Sequence, residues 1–267
     1  MLTEIITAIV LGIVEGLTEF LPVSSTGHLI VVGSLLNFEG ARASTFEVFI
    51  QLGAILAVVI LFWDRFIHLL DFKRKEGFAG LRGIGLLVVT SVPALTIAAL
   101  GYDFIKEQLF SPLTVAIGLG IGGIAIIIVE KVLKGSTHTG LDSITWTDAL
   151  VIGLFQILAL IPGTSRSGST IIGGMLLGAS RPAAAEFTFY LAIPVMMGAS
   201  LLKLLQFGFA FTGAELAMLL LGMAVAFLVS MGAIRFLMRY VRSHDFRVFG
   251  YYRILLGLAV LGYFLLA

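Results

Sequence analysis

Apolar runs long enough to cross roughly 30 Å of hydrocarbon recur from one end of this chain to the other. Charge, Pro and Gly mark the breaks between them, and the pattern predicts helices near 4–20, 24–37, 46–62, 84–101, 113–133, 149–161, 170–179, 184–205, 215–238 and 250–267. Segments 24–37 and 170–179 are short for a crossing, and each is joined to its predecessor by Pro, Gly, Ser and Thr, in LPVSSTG and IPGTSRSG. At ~1.5 Å per residue, a ten-residue helix covers only about 15 Å, roughly half the hydrocarbon core. Helical hairpins that enter and return on one side fit better. The expected fold is an all-α polytopic membrane protein with two re-entrant helical hairpins and about six full transmembrane helices.

The two odd places resemble each other. A shift of 141 residues lays Gly12 on Gly153, Ser24 on Ser165, Gly27 on Gly168, Ile30 on Ile171, Gly33 on Gly174 and Phe46 on Phe187, with Glu15 falling on Gln156. Residues 1–267 are therefore expected to form a single integral membrane domain of two repeats, about 1–133 and 146–267. If each hairpin returns to its starting side, three crossings separate them, so they enter from opposite faces and the repeat is inverted. Broken helices in inverted repeats place sites near the midplane. Loops 63–83, 134–148, 180–183 and 239–249 carry Arg65, Lys73, Arg74, Lys75, Arg82, Lys134, Arg181, Arg239, Arg242 and Arg247, against Arg42 and Lys106 on the other side. This bias makes the first side cytoplasmic and turns both termini and the mouth of the first hairpin outward.

Composition narrows the function. The chain is 59% hydrophobic and 12% charged, with a mean hydropathy of +1.08. No polar stretch is left over for a separate soluble domain, and a net charge of +1 supplies no basic surface for nucleic acid. With no Cys, disulfides, thiol catalysis and cysteine metal sites are excluded. MLTEIITAIV lacks the basic n-region and cleavage site of a secretory signal and is expected to remain as structure.

Against this background a few polar residues stand out. Glu15 and Glu19, four apart, share a helix face inside the first apolar run. Two carboxylates in hydrocarbon need compensation, from a divalent cation such as Mg²⁺ or Ca²⁺ or from a cationic side chain; a structural pair satisfied by backbone and water is the plainer reading. Ser24, Ser25, Thr26 and His28 open the next segment, where hydroxyls and first-turn amides suit an anion and where a helix cap alone would explain one serine. Of the four histidines only His28 falls within an apolar segment, so proton transfer or phosphate binding is expected of it. Arg166 lies in PGTSRSGST with Ser165, Ser167, Ser169 and Thr170, and its fork matches phosphate or carboxylate; a purely structural Arg–Glu bridge between the repeats is the alternative. Glu47 and Gln51, one turn apart, either line the site or only pair with segment 24–37. Together these parts suit phosphoryl transfer on an amphiphilic diphosphate.

VEGLTEFLPVSSTGH at 14–28, TFEVFIQLGAILAV at 45–58 and PGTSRSGSTIIGGMLLG at 162–178 closely resemble the bacterial undecaprenyl-diphosphate phosphatases of the bacitracin-resistance type. The resemblance covers nearly the whole chain in motif order. It implies hydrolysis of undecaprenyl diphosphate to undecaprenyl phosphate and inorganic phosphate, recycling the carrier for peptidoglycan and other wall polymers and conferring bacitracin resistance. It also implies a divalent-cation cofactor and a site open to the outer face of the bacterial cytoplasmic membrane. The family's acidic motif falls on Glu15 and Glu19, its serine on Ser25, its histidine on His28 and its arginine on Arg166. Ser25 is then the candidate nucleophile, with water activated by Glu19 or His28 as the alternative. His28 is acid/base or its orienting partner, and Glu15 and Glu19 are metal ligands or base. Arg166, helped by Ser165, Ser167 and Thr170, clamps phosphate, with Ser24 and Thr26 as further donors. The expected partners are a long-chain isoprenyl diphosphate lipid and the membrane, with a homodimer left open.

Two other readings compete. The type-2 phosphatidic acid phosphatases also use Ser-Gly-His and Ser-Arg elements, but they require a His soon after Ser-Arg, whereas SGSTIIGG follows Arg166. A carrier of phosphate or lipid phosphate would suit broken helices equally and would bind without cutting.

Overall fold

Several helix starts in this chain are set by hydroxyl caps. Thr145 and Thr212 each accept from the amide three residues on, and Asp148 and Glu215 accept back, closing two capping boxes. Ser111 caps a helix whose first residue is Pro112, where a missing amide hydrogen costs nothing. The computed structural model describes residues 2–74, 76–109, 111–133, 135–207 and 211–266. Among these, the α-helices in chain order are α1 (Leu2–Thr18), α2 (Ser25–Leu35), α3 (Ala41–Leu61), α4 (Trp63–Leu70), α5 (Gly80–Phe104), α6 (Pro112–Val132), α7 (Trp146–Ile157), α8 (Arg166–Leu176), α9 (Arg181–Phe207), α10 (Gly213–Tyr240) and α11 (Arg247–Leu266).

Six of them, α3, α5, α6, α9, α10 and α11, are long and apolar enough to cross a membrane. Large apolar side chains such as Leu100, Leu228 and Leu255 point outward from these helices, as a hydrocarbon surround requires. The protein is an all-α polytopic membrane protein.

The helices differ from the expected segments in informative ways. The run expected at 170–179 begins at Arg166, because Ser165 caps it through the Gly168 amide; Arg166 is thus a helical residue rather than part of the preceding turn. Arg181, expected in a loop, opens α9. The loop expected at 63–83 contains α4, where Trp63, Ile67 and Leu70 stay exposed on one stripe. Lys75 and Lys134, counted on the basic side, lie outside the described residues. The remaining basic loops do gather at one end: the Phe78 amide and Arg65 both donate to Asp142, Arg82 donates to the Ile144 carbonyl, and Ser180 donates to the Thr139 carbonyl.

Packing interlaces the chain. Helix α10 lies against α1 and α3 from the first half, α5 lies against α7 and α9 from the second, and α6 pairs with α11. Small residues permit the close approaches: a Cβ on Gly12 would come within 2.8 Å of the Gly222 carbonyl oxygen, and one on Gly16 within 2.7 Å of Val229 Cβ.

Candidate active site

Helices α2 and α8 are each eleven residues long and stand 141 residues apart at both ends. Each is opened by a serine in a left-handed conformation, Ser24 at φ 70° and Ser165 at φ 71°. Such values are strained for a side chain with a Cβ and persist only where the surroundings hold them. Each serine accepts from a glycine amide, Gly27 at 3.4 Å and Gly168 at 3.1 Å. Each also has its carbonyl held from four residues on, by His28 Nδ1 at 2.7 Å and by the Ser169 hydroxyl at 2.9 Å.

The two breaks meet. Arg166 Nη2 donates to Glu19 Oε1 at 2.8 Å, and the Ser25 hydroxyl donates to Glu19 Oε2 at 2.5 Å. Arg166 Nη1 donates to the Thr188 carbonyl at 2.8 Å, which fixes the guanidinium from α9. Ser167 donates to the Leu21 carbonyl at 2.9 Å, a second tie between the breaks. The Arg166 and Glu19 side chains are only 12% and 9% exposed, so their charges interact through little water. Buried Arg166 Nε has no hydrogen-bond partner among the described residues.

Around this pair lies a cavity of about 240 Å³. Glu19, Ser24, Ser25, Thr26, Gln51, Ser165 and Arg166 make its polar wall; Ala159, Ile161, Val195, Met196 and Ala199 make an apolar one. Gln51 therefore faces the cavity, and Glu47 does not line it. Ser167 and Thr170 stand behind it, Thr170 bonded to the Thr188 hydroxyl at 2.9 Å, so they support Arg166 from outside. Glu15 is fully buried on α1, one turn before Glu19 and off the cavity wall. His28 also lies off the wall, with Nε2 2.7 Å from the Tyr252 hydroxyl.

Arg253 was not anticipated from the sequence. It is fully buried and donates to the carbonyls of Pro22, Gly118, Leu119, Gly163 and Thr164 at 2.8–3.4 Å. One guanidinium on α11 thus holds the backbone of both breaks. Gly163, at φ +91°, lies against the Val115 backbone so closely that no Cβ fits.

A carboxylate, a hydroxyl and a guanidinium thus meet at the wall of one small amphiphilic cavity. Residues 8–259 match the family model described as Bacitracin resistance protein BacA, and the chain belongs to that family. It is 51% identical to a protein of Desulfitobacterium hafniense named undecaprenyl-diphosphatase, over 98% of this chain and 97% of that one. Proteins of the same name from Lachnoclostridium phytofermentans and Enterococcus faecalis are 52% and 50% identical, covering 99% and 97% of this chain and 98% and 96% of theirs.

Proposed function

We propose that this protein hydrolyses undecaprenyl diphosphate to undecaprenyl phosphate and inorganic phosphate. The observation that carries the reading is the single carboxylate of Glu19 shared between the Ser25 hydroxyl and Arg166 at the wall of an amphiphilic cavity. Ser25 Oγ attacks the terminal phosphorus and its proton passes to Glu19. The bond to the bridging oxygen breaks, and the lipid monophosphate leaves with that proton. Water then attacks the phosphoserine, its proton moving through Glu19 to Ser25 Oγ as inorganic phosphate departs. Arg166 binds the transferring oxygens, helped by the first-turn amides of α2 and by Ser24 and Thr26.

A hard divalent cation suits the all-oxygen donors here. Among the described residues no three acidic or imidazole groups converge on one point, so the protein alone builds no closed cage. Mg²⁺ commonly takes one or two carboxylates and completes its shell with substrate phosphate and water. Glu19, on the cavity wall, is the residue that would hold it, with Glu15 one turn behind and off the wall, and it would neutralise charge on the transferring phosphoryl group.

The short α2 and α8 are read as halves of two re-entrant hairpins entering from opposite faces, in two inverted repeats of about 1–133 and 146–267. Their meeting tips and the gathering of basic loops at one end support that reading. The site then opens to the outer face of the bacterial cytoplasmic membrane, with both termini outward. Recycling of the carrier for wall synthesis and resistance to bacitracin would follow. Phosphate release from undecaprenyl diphosphate by purified protein, with and without chelator, tests the proposal. Activity lost in Ser25→Ala, Glu19→Gln and Arg166→Ala, with membrane insertion intact, supports it; lipid binding with no phosphate release overturns it.

A further inference from the structure

His28 is conspicuous in the sequence as an acid/base candidate, yet its ring nitrogens are both engaged. A carbonyl only accepts, so Nδ1 carries the hydrogen in its 2.7 Å bond to the Ser24 carbonyl. The neutral ring then presents Nε2 as acceptor to the Tyr252 hydroxyl, also at 2.7 Å, and the two ring planes are nearly parallel at 7°. Neither nitrogen faces the cavity, whose wall excludes both residues. The counterpart of His28 by the 141-residue correspondence is Ser169, and it makes the equivalent bond to the carbonyl of the equivalent strained serine, Ser165. A serine has no acid/base function at neutral pH, so what the two positions share is the restraint of a left-handed serine.

We propose that Tyr252 and His28 form a positioning relay: Tyr252 fixes the imidazole, the imidazole holds the Ser24 carbonyl, and Ser24 in its strained conformation aims the next residue, Ser25, at Glu19. Tyr252 is a positioning residue of the reaction and His28 moves no proton in it. The step rests on the hydrolase reading above. It also explains why two successive residues of α11 face the breaks, since Arg253 holds their carbonyls while Tyr252 acts through His28.

The relay is tested with His28→Ser, His28→Ala, Tyr252→Phe and the double variant His28→Ser/Tyr252→Phe in full-length protein. His28→Ser, which copies Ser169, is expected to keep kcat within about threefold, and His28→Ala to lose about tenfold in kcat with KM unchanged, the worth of one lost hydrogen bond. Loss of a general acid or base would instead cost about 10²–10⁴-fold. Tyr252→Phe should lower kcat in the native background and have no effect beside His28→Ser, and all four pH–rate profiles should keep every limb of the parent. Disappearance of a limb in both His28 variants, or equal inactivity of His28→Ser and His28→Ala, overturns the relay. Nitrogen NMR of the imidazole separates this from failure of the hydrolase reading: the Nδ1–H tautomer is expected whether or not phosphate is released, and an Nε2–H tautomer overturns the relay on its own.

Discussion

Ser25 and Arg166 hold the same position in two eleven-residue helices, the first residue of each, 141 apart in the chain. Both side chains end on one carboxylate, Ser25 on Glu19 Oε2 and Arg166 on Oε1. Like positions thus carry unlike groups, a hydroxyl and a guanidinium, and the carboxylate between them has no acidic counterpart: 141 residues beyond Glu19 stands Leu160.

Glu19→Gln keeps an acceptor for Ser25 and removes the base. We expect kcat to fall by about 10²–10⁴-fold. Stability in detergent should fall too, because the nearly buried Arg166 loses its counter-charge. Adding Arg166→Met should restore the melting temperature and leave activity lost; recovery of turnover in that double variant would refute the assignment.

Arg166→Lys retains the charge and loses the fork. Lysine cannot reach the Thr188 carbonyl and Glu19 together as Nη1 and Nη2 do. A loss of about 10²-fold or more in kcat/KM is expected, of the size of one lost transition-state donor. Steady-state kinetics on the lysine and alanine variants give the comparison.

Arg253→Met would test the clamp on the breaks. The substitution fits the volume but leaves five carbonyls without their shared donor. Gly118 and Leu119 keep their bonds within α6, but each of Pro22, Gly163 and Thr164 left unsatisfied costs on the order of 1–3 kcal/mol before relaxation, so a drop of several kcal/mol in stability and loss of activity are expected. A thermal melt in detergent reads the first and phosphate release the second.

Ala199 would report on the lipid tail. A cavity of about 240 Å³ has room for roughly eight waters, enough for a diphosphate and the start of a chain, so the rest must leave past the apolar wall. Ala199 is exposed at that wall and can be enlarged without repacking the core. Ala199→Trp should raise KM for undecaprenyl diphosphate about tenfold or more while sparing isopentenyl diphosphate. Equal effects on both substrates would place the tail elsewhere.

Glu19 and Arg166, which meet at the cavity wall, were legible because hydrocarbon makes ionisable side chains conspicuous; Glu15 and His28 stand out of apolar runs for the same reason, yet lie off that wall. The matching breaks were legible because glycines and serines recur at one offset, Ser24 with Ser165 and Gly27 with Gly168. Arg253 was not. It follows Tyr251 and Tyr252 near the start of a span, where an arginine ordinarily reaches for the interface, and only the packing of α11 on α6 turns it inward. Helix α4 escaped notice because eight residues in a charged loop are too few for periodicity to show. Tyr252 reads in sequence as an interfacial aromatic, and nothing local connects it to a histidine 224 positions away.

The interlacing of α10 with α1 and α3 has a consequence for how the chain is made. The Gly12–Gly16 face of α1 meets its partner only when Gly222 has left the ribosome, about 200 residues and roughly 10–40 s later at 5–20 residues per second. Arg253 arrives later still. Arg166 is in place by then, but Pro22 and the Gly163–Thr164 turn still lack the one guanidinium that clamps both, so the two breaks are braced last of all, by α11.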